Sequence, residues 1–255
     1  MKYPQIEKIK EKNPVIQSIT NPVTINDCAN ILLAVGASPI MAHHEKEVAE
    51  IQAKASALVL NLGATDDYES MMIAAKTARE CGHPIVLDPV GVGVSTYRRQ
   101  FALRLIEEVG VSCIRCNYGE AMILASGEGS ASMDGLDSRL VIENEADRAG
   151  FCRSLQNFSD ANEIIIAASG PVDFVISKDN AFEIASGHEM MRRVTGMGCM
   201  CSEVVAAFLA VDDSVASVKN ALEFYGECGK LAGDRASSQG TMTFKNEFIN
   251  TISCF

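Results

Sequence analysis

The chain has 255 residues, 47% of them apolar and 22% charged, with a formal charge of −11. That is the make-up of a soluble globular protein with a large core, and its acidity excludes non-specific nucleic-acid binding, which needs a dense basic surface. No window is long and apolar enough to span a membrane, and the start Met1-Lys2-Tyr3-Pro4-Gln5 carries no apolar signal segment, so a cytoplasmic location is expected.

In chain order, Tyr3 to Lys12 reads as a short amphipathic helix closed by Asn13-Pro14, and Val15 to Ile19 as a strand. A helix follows in which Ile25, Cys28, Ala29, Leu32 and Leu33 share a face, stopping at Gly36. Pro39 to Ala42 is a short strand, Val48 to Ala55 a helix and Ala57 to Asn61 a fully apolar strand. Asp67 to Cys81 is a helix ended by Gly82, and Pro84 to Leu87 is a strand running into Asp88. Then come a helix over Thr96 to Val109, a strand over Ser112 to Arg115 and helices over Tyr118 to Leu124 and Glu145 to Phe158. Glu163 to Ala168 is a strand, and Asp173–Ser177 with Ala181–Ile184 forms a hairpin about Lys178-Asp179-Asn180. Three helices close the chain near Cys199–Ala210, Val215–Ala232 and Phe244–Ile252. Ser126 to Ser138, rich in glycine and serine, is expected to be an exposed loop.

Short apolar strands alternating with helices predict a mostly parallel sheet covered on both faces. The expected fold is α/β: a three-layer α/β/α sandwich forming one domain over residues 1–255. Nine cysteines in an unexported chain should be reduced. Cys113-x-x-Cys116 and Cys199-x-Cys201 complete no four-ligand metal set, so most are expected to be core thiols.

Ligands in open α/β sheets bind beyond the carboxyl ends of the strands. The segments following these strands are Thr20-Asn21-Pro22, Asn61-Leu62-Gly63, Asp88-Pro89-Val90-Gly91, Arg115-Cys116-Asn117 with Glu120, and Ser169-Gly170. Late in the chain, Val194-Thr195-Gly196-Met197-Gly198-Cys199 runs straight into an apolar helix. A glycine-rich turn opening a helix suits phosphate, because the first-turn amides are unpaired and the dipole is positive there. Cys199 places a nucleophile or base at that point, with the helix terminus expected to favour its thiolate. Taken together, the segments look like a nucleotide and metal site.

The order and spacing of several segments are more specific. They are Ser18-Ile19-Thr20-Asn21-Pro22-Val23, Asn26 with Ala29-Asn30, and Leu32-Leu33-Ala34 with Gly36-Ala37-Ser38-Pro39 and Met41. Leu87-Asp88-Pro89-Val90-Gly91, Ile114-Arg115 with Asn117 and Glu120, and Val194-Thr195-Gly196 with Gly198-Cys199 complete them. From about Val15 into the last helix, the chain resembles the hydroxyethylthiazole kinases of the ribokinase-like superfamily. The resemblance implies ATP-dependent phosphorylation of 4-methyl-5-(2-hydroxyethyl)thiazole in thiamine salvage, with Mg²⁺. It also implies a homotrimer whose pockets lie between subunits.

By position, the resemblance gives Cys199 the place where most ribokinase-like kinases carry an aspartate base, with Gly198 and Gly196 supplying amides to the transferring phosphoryl. Met41 and Gly196 match thiazole-contacting positions, and Asn21 and Asn26 are expected in the same pocket. Arg115, Ser169 and Asn117 fall on the nucleotide side, and Asp88 and Glu120 are candidates for hydrated Mg²⁺. The departures are Cys116 for glycine, Ala64-Thr65-Asp66-Asp67, Ser169 for threonine, and Lys178-Asp179-Asn180. Cys116 is expected to add a side chain close to the nucleotide loop. The alternative is a related kinase of another small heterocyclic alcohol such as hydroxymethylpyrimidine. Cys199 and the Ala37–Met41 segment weigh against it. A dinucleotide-dependent dehydrogenase is excluded, because no Gly-x-Gly-x-x-Gly follows the first strand.

Overall fold

Right-handed strand twist and the apolar runs of the sequence produce a twisted eight-stranded sheet in the order β2-β1-β3-β4-β5-β6-β7-β8. The computed structural model describes residues 2–126, 142, 144–236 and 238–255. Beyond Ser126, the expected glycine-rich loop lies outside them.

The strands are β1 (Val15–Ile19), β2 (Ser38–Ile40), β3 (Ala57–Asn61), β4 (Ile85–Asp88), β5 (Cys113–Asn117), β6 (Ile165–Ser169), β7 (Asp173–Ile176) and β8 (Ala181–Ile184). All pairings from β2 to β6 are parallel, and β7 and β8 add an antiparallel edge, as the late hairpin implied. One helical layer holds α1 (Pro4–Lys12), α2 (Ile25–Val35), α8 (Met197–Leu209), α9 (Val215–Ala236) and α10 (Thr241–Ser253). The other holds α3 (Val48–Gln52), α4 (Tyr68–Cys81), α5 (Thr96–Glu108), α6 (Tyr118–Ser126) and α7 (Glu145–Asn162). Each layer closes a separate apolar cluster against its face of the sheet.

Local chemistry sets the element ends. α2 buries Cys28, Ile31, Leu32 and Val35 on one stripe and stops at Gly36, whose φ of 99° an L side chain would resist. α7 runs one turn past its expected end, and Glu163, read as the first strand residue, instead closes it in the left-handed region at φ 56°. A short 3-10 helix over Glu189–Arg193 has no period long enough to be read from sequence.

The topology also fixes where the site lies. β1 leads to β2 on one side while β3 lies on its other side, so the connections diverge between β1 and β3. Such a switch point opens a crevice at the carboxyl ends of the two strands.

Candidate active site

Four elements meet at that crevice. The turn after β1 supplies Asn21 and Thr24, the end of β3 supplies Asn61, the end of β4 supplies Asp88, and the start of α8 supplies Gly196, Gly198 and Cys199.

Asn61 is the hub. Its Nδ2 donates to Asp88 Oδ2 at 2.9 Å and to Cys199 Sγ at 3.3 Å. Its Oδ1 accepts from the Gly63 amide at 2.9 Å and from Asn21 Nδ2 at 3.2 Å. Asn21 Nδ2 also reaches Cys199 Sγ at 3.5 Å, while Asn21 Oδ1 accepts from the Val23 amide at 3.1 Å. An amide side chain carries two donors and two acceptor lone pairs, so one asparagine can tie four neighbours together. Sequence reading placed Asn61 at a strand end without assigning it a role. The available signal was a polar residue ending an otherwise fully apolar strand.

Asp88 is buried and takes both of its hydrogen bonds on Oδ2, from Asn61 and from Ser202 Oγ at 2.9 Å. Burial raises its pKa, while Arg115, Ser202 and Asn61 oppose the rise.

Cys199 stands in the first turn of α8, whose N-cap is Gly196 at φ 91°. The helix start is pinned from below by Tyr225, which donates to the Met197 carbonyl at 2.6 Å. The first intrahelical bond is Met200 to Gly196, so the amides of Met197, Gly198 and Cys199 lie ahead of it. The thiolate expected from the helix terminus is overturned: burial pushes the Cys199 thiol up to about 11, and the Asp88 charge adds to the rise. Thr24, Asn21 and Arg115 only partly offset this, so Cys199 is a thiol at neutral pH.

Arg115 reaches under the same helix start. A Cβ placed on Gly198 would stand 2.6 Å from one guanidinium nitrogen of Arg115, so glycine is what lets the two approach. Burial works against its charge, but Asp88 and Asp173 act in its favour, and a guanidinium stays charged across the ordinary pH range. Its Nε is buried without a hydrogen-bond partner, and among the described residues Arg115 has no ion pair. Replacing Gly198 by alanine must displace this flexible guanidinium rather than the backbone. We expect the fold to survive and the KM for a phosphate-bearing substrate to rise about tenfold, read from steady-state kinetics beside a thermal melt.

Asn117 and Glu120 form a reciprocal cap at the start of α6. Asn117 Oδ1 accepts from the Glu120 amide at 2.8 Å, and Glu120 Oε2 accepts from the Asn117 amide at 3.1 Å. Glu120 Oε1 also holds the Gly91 amide at 3.0 Å, tying the loop after β4 to β5. Burial pushes Glu120 up to about 7. This acid, open to a reading as a solvated first-turn residue, is a buried latch, and both of its oxygens are occupied by backbone amides.

The remaining candidates lie further out. Ser169 ends β6 and is paired in register with Asn117, on the Arg115 side of the crevice. Asp173, which sequence reading missed, accepts from the Gly170 amide at 2.9 Å. Burial raises it to about 6, and Arg115 offsets part of the rise. Met41 follows the edge strand β2 and is half-buried, and Asn26 is exposed on α2, where its Oδ1 accepts from Asn30 Nδ2. Neither joins the Asn61–Cys199 cluster. Cys116 packs in the cluster of α6 and α7, on the opposite face of β5 from Arg115. Cys81 and Cys254 are exposed rather than core thiols.

A family model described as the hydroxyethylthiazole kinase family matches residues 6–255. A hydroxyethylthiazole kinase of Methanocella arvoryzae is 40% identical over 250 residues, covering 97% of this chain and 90% of the relative. One from Clostridium acetobutylicum is 38% identical over 254 residues, covering 97% of this chain and 92% of the relative. A solved structure of hydroxyethylthiazole kinase from Pyrococcus horikoshii OT3 superposes with a TM-score of 0.87 at 31% identity, covering 100% of this chain and 93% of that one. At the level of fold alone, an ADP complex of Bacillus subtilis pyridoxal kinase matches with a TM-score of 0.57 at 16% identity, covering 83% of this chain and 89% of that one.

Proposed function

This chain belongs to the hydroxyethylthiazole kinase family, and on that footing we propose that it transfers the γ-phosphoryl group of ATP to the hydroxyl of 4-methyl-5-(2-hydroxyethyl)thiazole in thiamine salvage. The observation that carries the reading is Arg115. A buried guanidinium with an unpartnered Nε and no ion pair, beneath the free amides of a glycine-opened helix, is a site built for an anion.

The residues present fit the nucleotide. Arg115 and the amides of Gly198 and Cys199 bind phosphate oxygens and stabilise charge on the transferring group. Asn117 and Ser169, at adjacent strand ends on the same side, border the nucleotide. Asp88 fits a hydrated Mg²⁺, since neither of its bonds uses Oδ1. Glu120 contributes through charge, because both oxygens already hold amides. When bound, Mg²⁺ neutralises the phosphates during transfer.

Cys199 acts as a thiol. Held by Asn21 and Asn61, it orients the acceptor hydroxyl, and a loose phosphoryl-transfer transition state asks little of a base. Gly196 and Met41 border the thiazole, with Asn21 at its inner end and Asn26 at its outer one. Because Met41 and Asn26 stand apart from Cys199 within one chain, the pocket is completed by a neighbouring subunit of a homotrimer. Exposed Val23, Leu33 and Ile40 on that same edge support a covered surface there. No helix among the described residues is long and apolar enough to cross a membrane, and we place the enzyme in the cytoplasm. One continuous sheet supports reading residues 1–255 as one domain.

The test is ADP release with ATP, Mg²⁺ and the thiazole alcohol, beside hydroxymethylpyrimidine and a blank without acceptor. Turnover with the thiazole alcohol is expected, with kcat lowered about 10- to 100-fold in Cys199→Ala. Turnover with the pyrimidine alone would overturn the substrate, and full activity in Cys199→Ala would overturn the role of the thiol.

A further inference from the structure

Glu203 follows Cys199 by one turn of α8, so the two side chains share a face of that helix. Its neighbours Val204, Val205, Ala206 and Ala207 are all buried and apolar, and nothing about packing there calls for a carboxyl group. Glu203 is itself fully buried. Its Oε1 accepts from Ser18 Oγ of β1 at 2.5 Å, and its Oε2 is buried with no hydrogen-bond partner. Ser18 of β1 and Cys28 of α2 favour its ionised form and the Asp88 charge opposes it, and among the described residues no cation is paired with it. A carboxylate so placed has nothing to balance it, whereas the neutral acid is tolerable.

Glu203 is also wired to the site. Cys28 is acted on by both Glu203 and Cys199, and its thiol donates to Thr24 Oγ1 at 3.9 Å. The Thr24 hydroxyl in turn favours the Cys199 thiolate. These side chains make a polar string between α2, α8 and β1 through an otherwise apolar layer.

We propose that Glu203 is a positioning residue of this site: held neutral, it leaves the start of α8 free to collect negative charge. On ionising, it sets an unbalanced charge one helical turn behind Cys199 that suppresses the acidity of that thiol and weakens phosphate capture. Only the phosphate half of this inference rests on the kinase reading above. The switch falls in a usable range, because burial raises Glu203 to about 8 while Ser18 and Cys28 pull it down and Asp88 adds to the rise.

Glu203→Gln keeps the shape and the acceptor for Ser18 while removing the titration. Two readouts between pH 6 and 10 test it. The first needs no nucleotide: alkylation of Cys199 by iodoacetamide, followed on its peptide by mass spectrometry. The thiol's own midpoint lies above this window, so the readout is rate: above the Glu203 transition the wild-type thiol is expected to react about tenfold more slowly than in the variant, and below it equally fast. The second is kcat/KM for ATP, expected to fall about tenfold as pH rises through the Glu203 transition in the wild type and to lack that step in E203Q, while the Glu120 titration near 7 is common to both. Superimposable alkylation profiles would overturn the proposal. Shifted profiles without turnover on either alcohol would support the Glu203 coupling while sinking the kinase reading. Should E203Q fail to fold, Ser18→Ala carries the test, since losing the donor to Oε1 moves the transition to higher pH, and an unmoved transition overturns it.

Discussion

Arg115→Ala is expected to lower kcat/KM for ATP by about 10²- to 10³-fold, the scale of losing one preorganised transition-state donor. The guanidinium lies under Gly198, keeps its charge against burial and has an unused buried Nε, so its removal takes a fixed positive charge from beneath the start of α8. The same charge restrains Asp88, Asp173 and Glu120, whose pKa values burial raises. Without it those carboxyls rise further, and an acid whose folded pKa exceeds its unfolded value loses stability as pH rises through the folded pKa. The alanine variant should therefore weaken most above neutrality. Arg115→Lys keeps the charge and loses the planar fork, so it should recover stability and only part of the activity. The comparison needs steady-state kinetics varied in ATP and in acceptor, with urea melts at two pH values. A variant that melts early while keeping its kcat/KM for ATP would remove Arg115 from the phosphate site.

Asn61→Asp should be the most disruptive isosteric change in the cluster. It sets a second carboxyl about where Asn61 Nδ2 now donates to Asp88 Oδ2 at 2.9 Å, and it withdraws the donor to Cys199. Two carboxylates this close share one proton, raising the pair's upper pKa by roughly two to three units. Near pH 4 or below the variant and the wild type should be similarly stable. The penalty then grows as pH rises through the raised pKa, reaching about 3–4 kcal/mol by pH 8. Urea unfolding across that range measures it, and a penalty that does not change with pH would refute the shared-proton account. Activity should fall as well on the role proposed for Cys199, since its sulfur loses its nearest amide donor.

Much of this was legible because periodicity and punctuation agree along the chain. Apolar runs such as Ala57–Leu60 could only be covered strands, and Gly36 and Gly82 marked helix ends that the backbone needed in the left-handed region. The segments after the strands named Asn21, Asp88, Arg115 and Cys199, and the fold brings these to one crevice. What stayed hidden depends on through-space partners. Asn61 stands out locally only as the polar end of an apolar strand, and its part as a hub depends on partners at positions 21, 88 and 199. The protonation of Cys199 depends on burial and on Asp88, which outweigh the helix terminus. Glu120 looked like a helix-start acid, but its tertiary bond to Gly91 makes it a latch between two loops. Glu203 carries no local mark either, since it stands in an apolar helix and its bond is to Ser18, far away in the sequence.

The pleat of β5 has a consequence for how such a chain can change over generations. Cys113 turns toward the layer of α8 and α9, with Arg115 on the same side, whereas Ile114 and Cys116 turn toward α6 and α7. Substitutions at the second pair drift under packing constraints alone, so a cysteine can stand next to Arg115 in the strand without touching its chemistry. Loss or gain of a single residue within the strand is another matter. It would exchange the two inventories at once, sending Arg115 into an apolar core and an aliphatic side chain into the cradle. This strand tolerates spelling changes on one face and no change of reading frame on either.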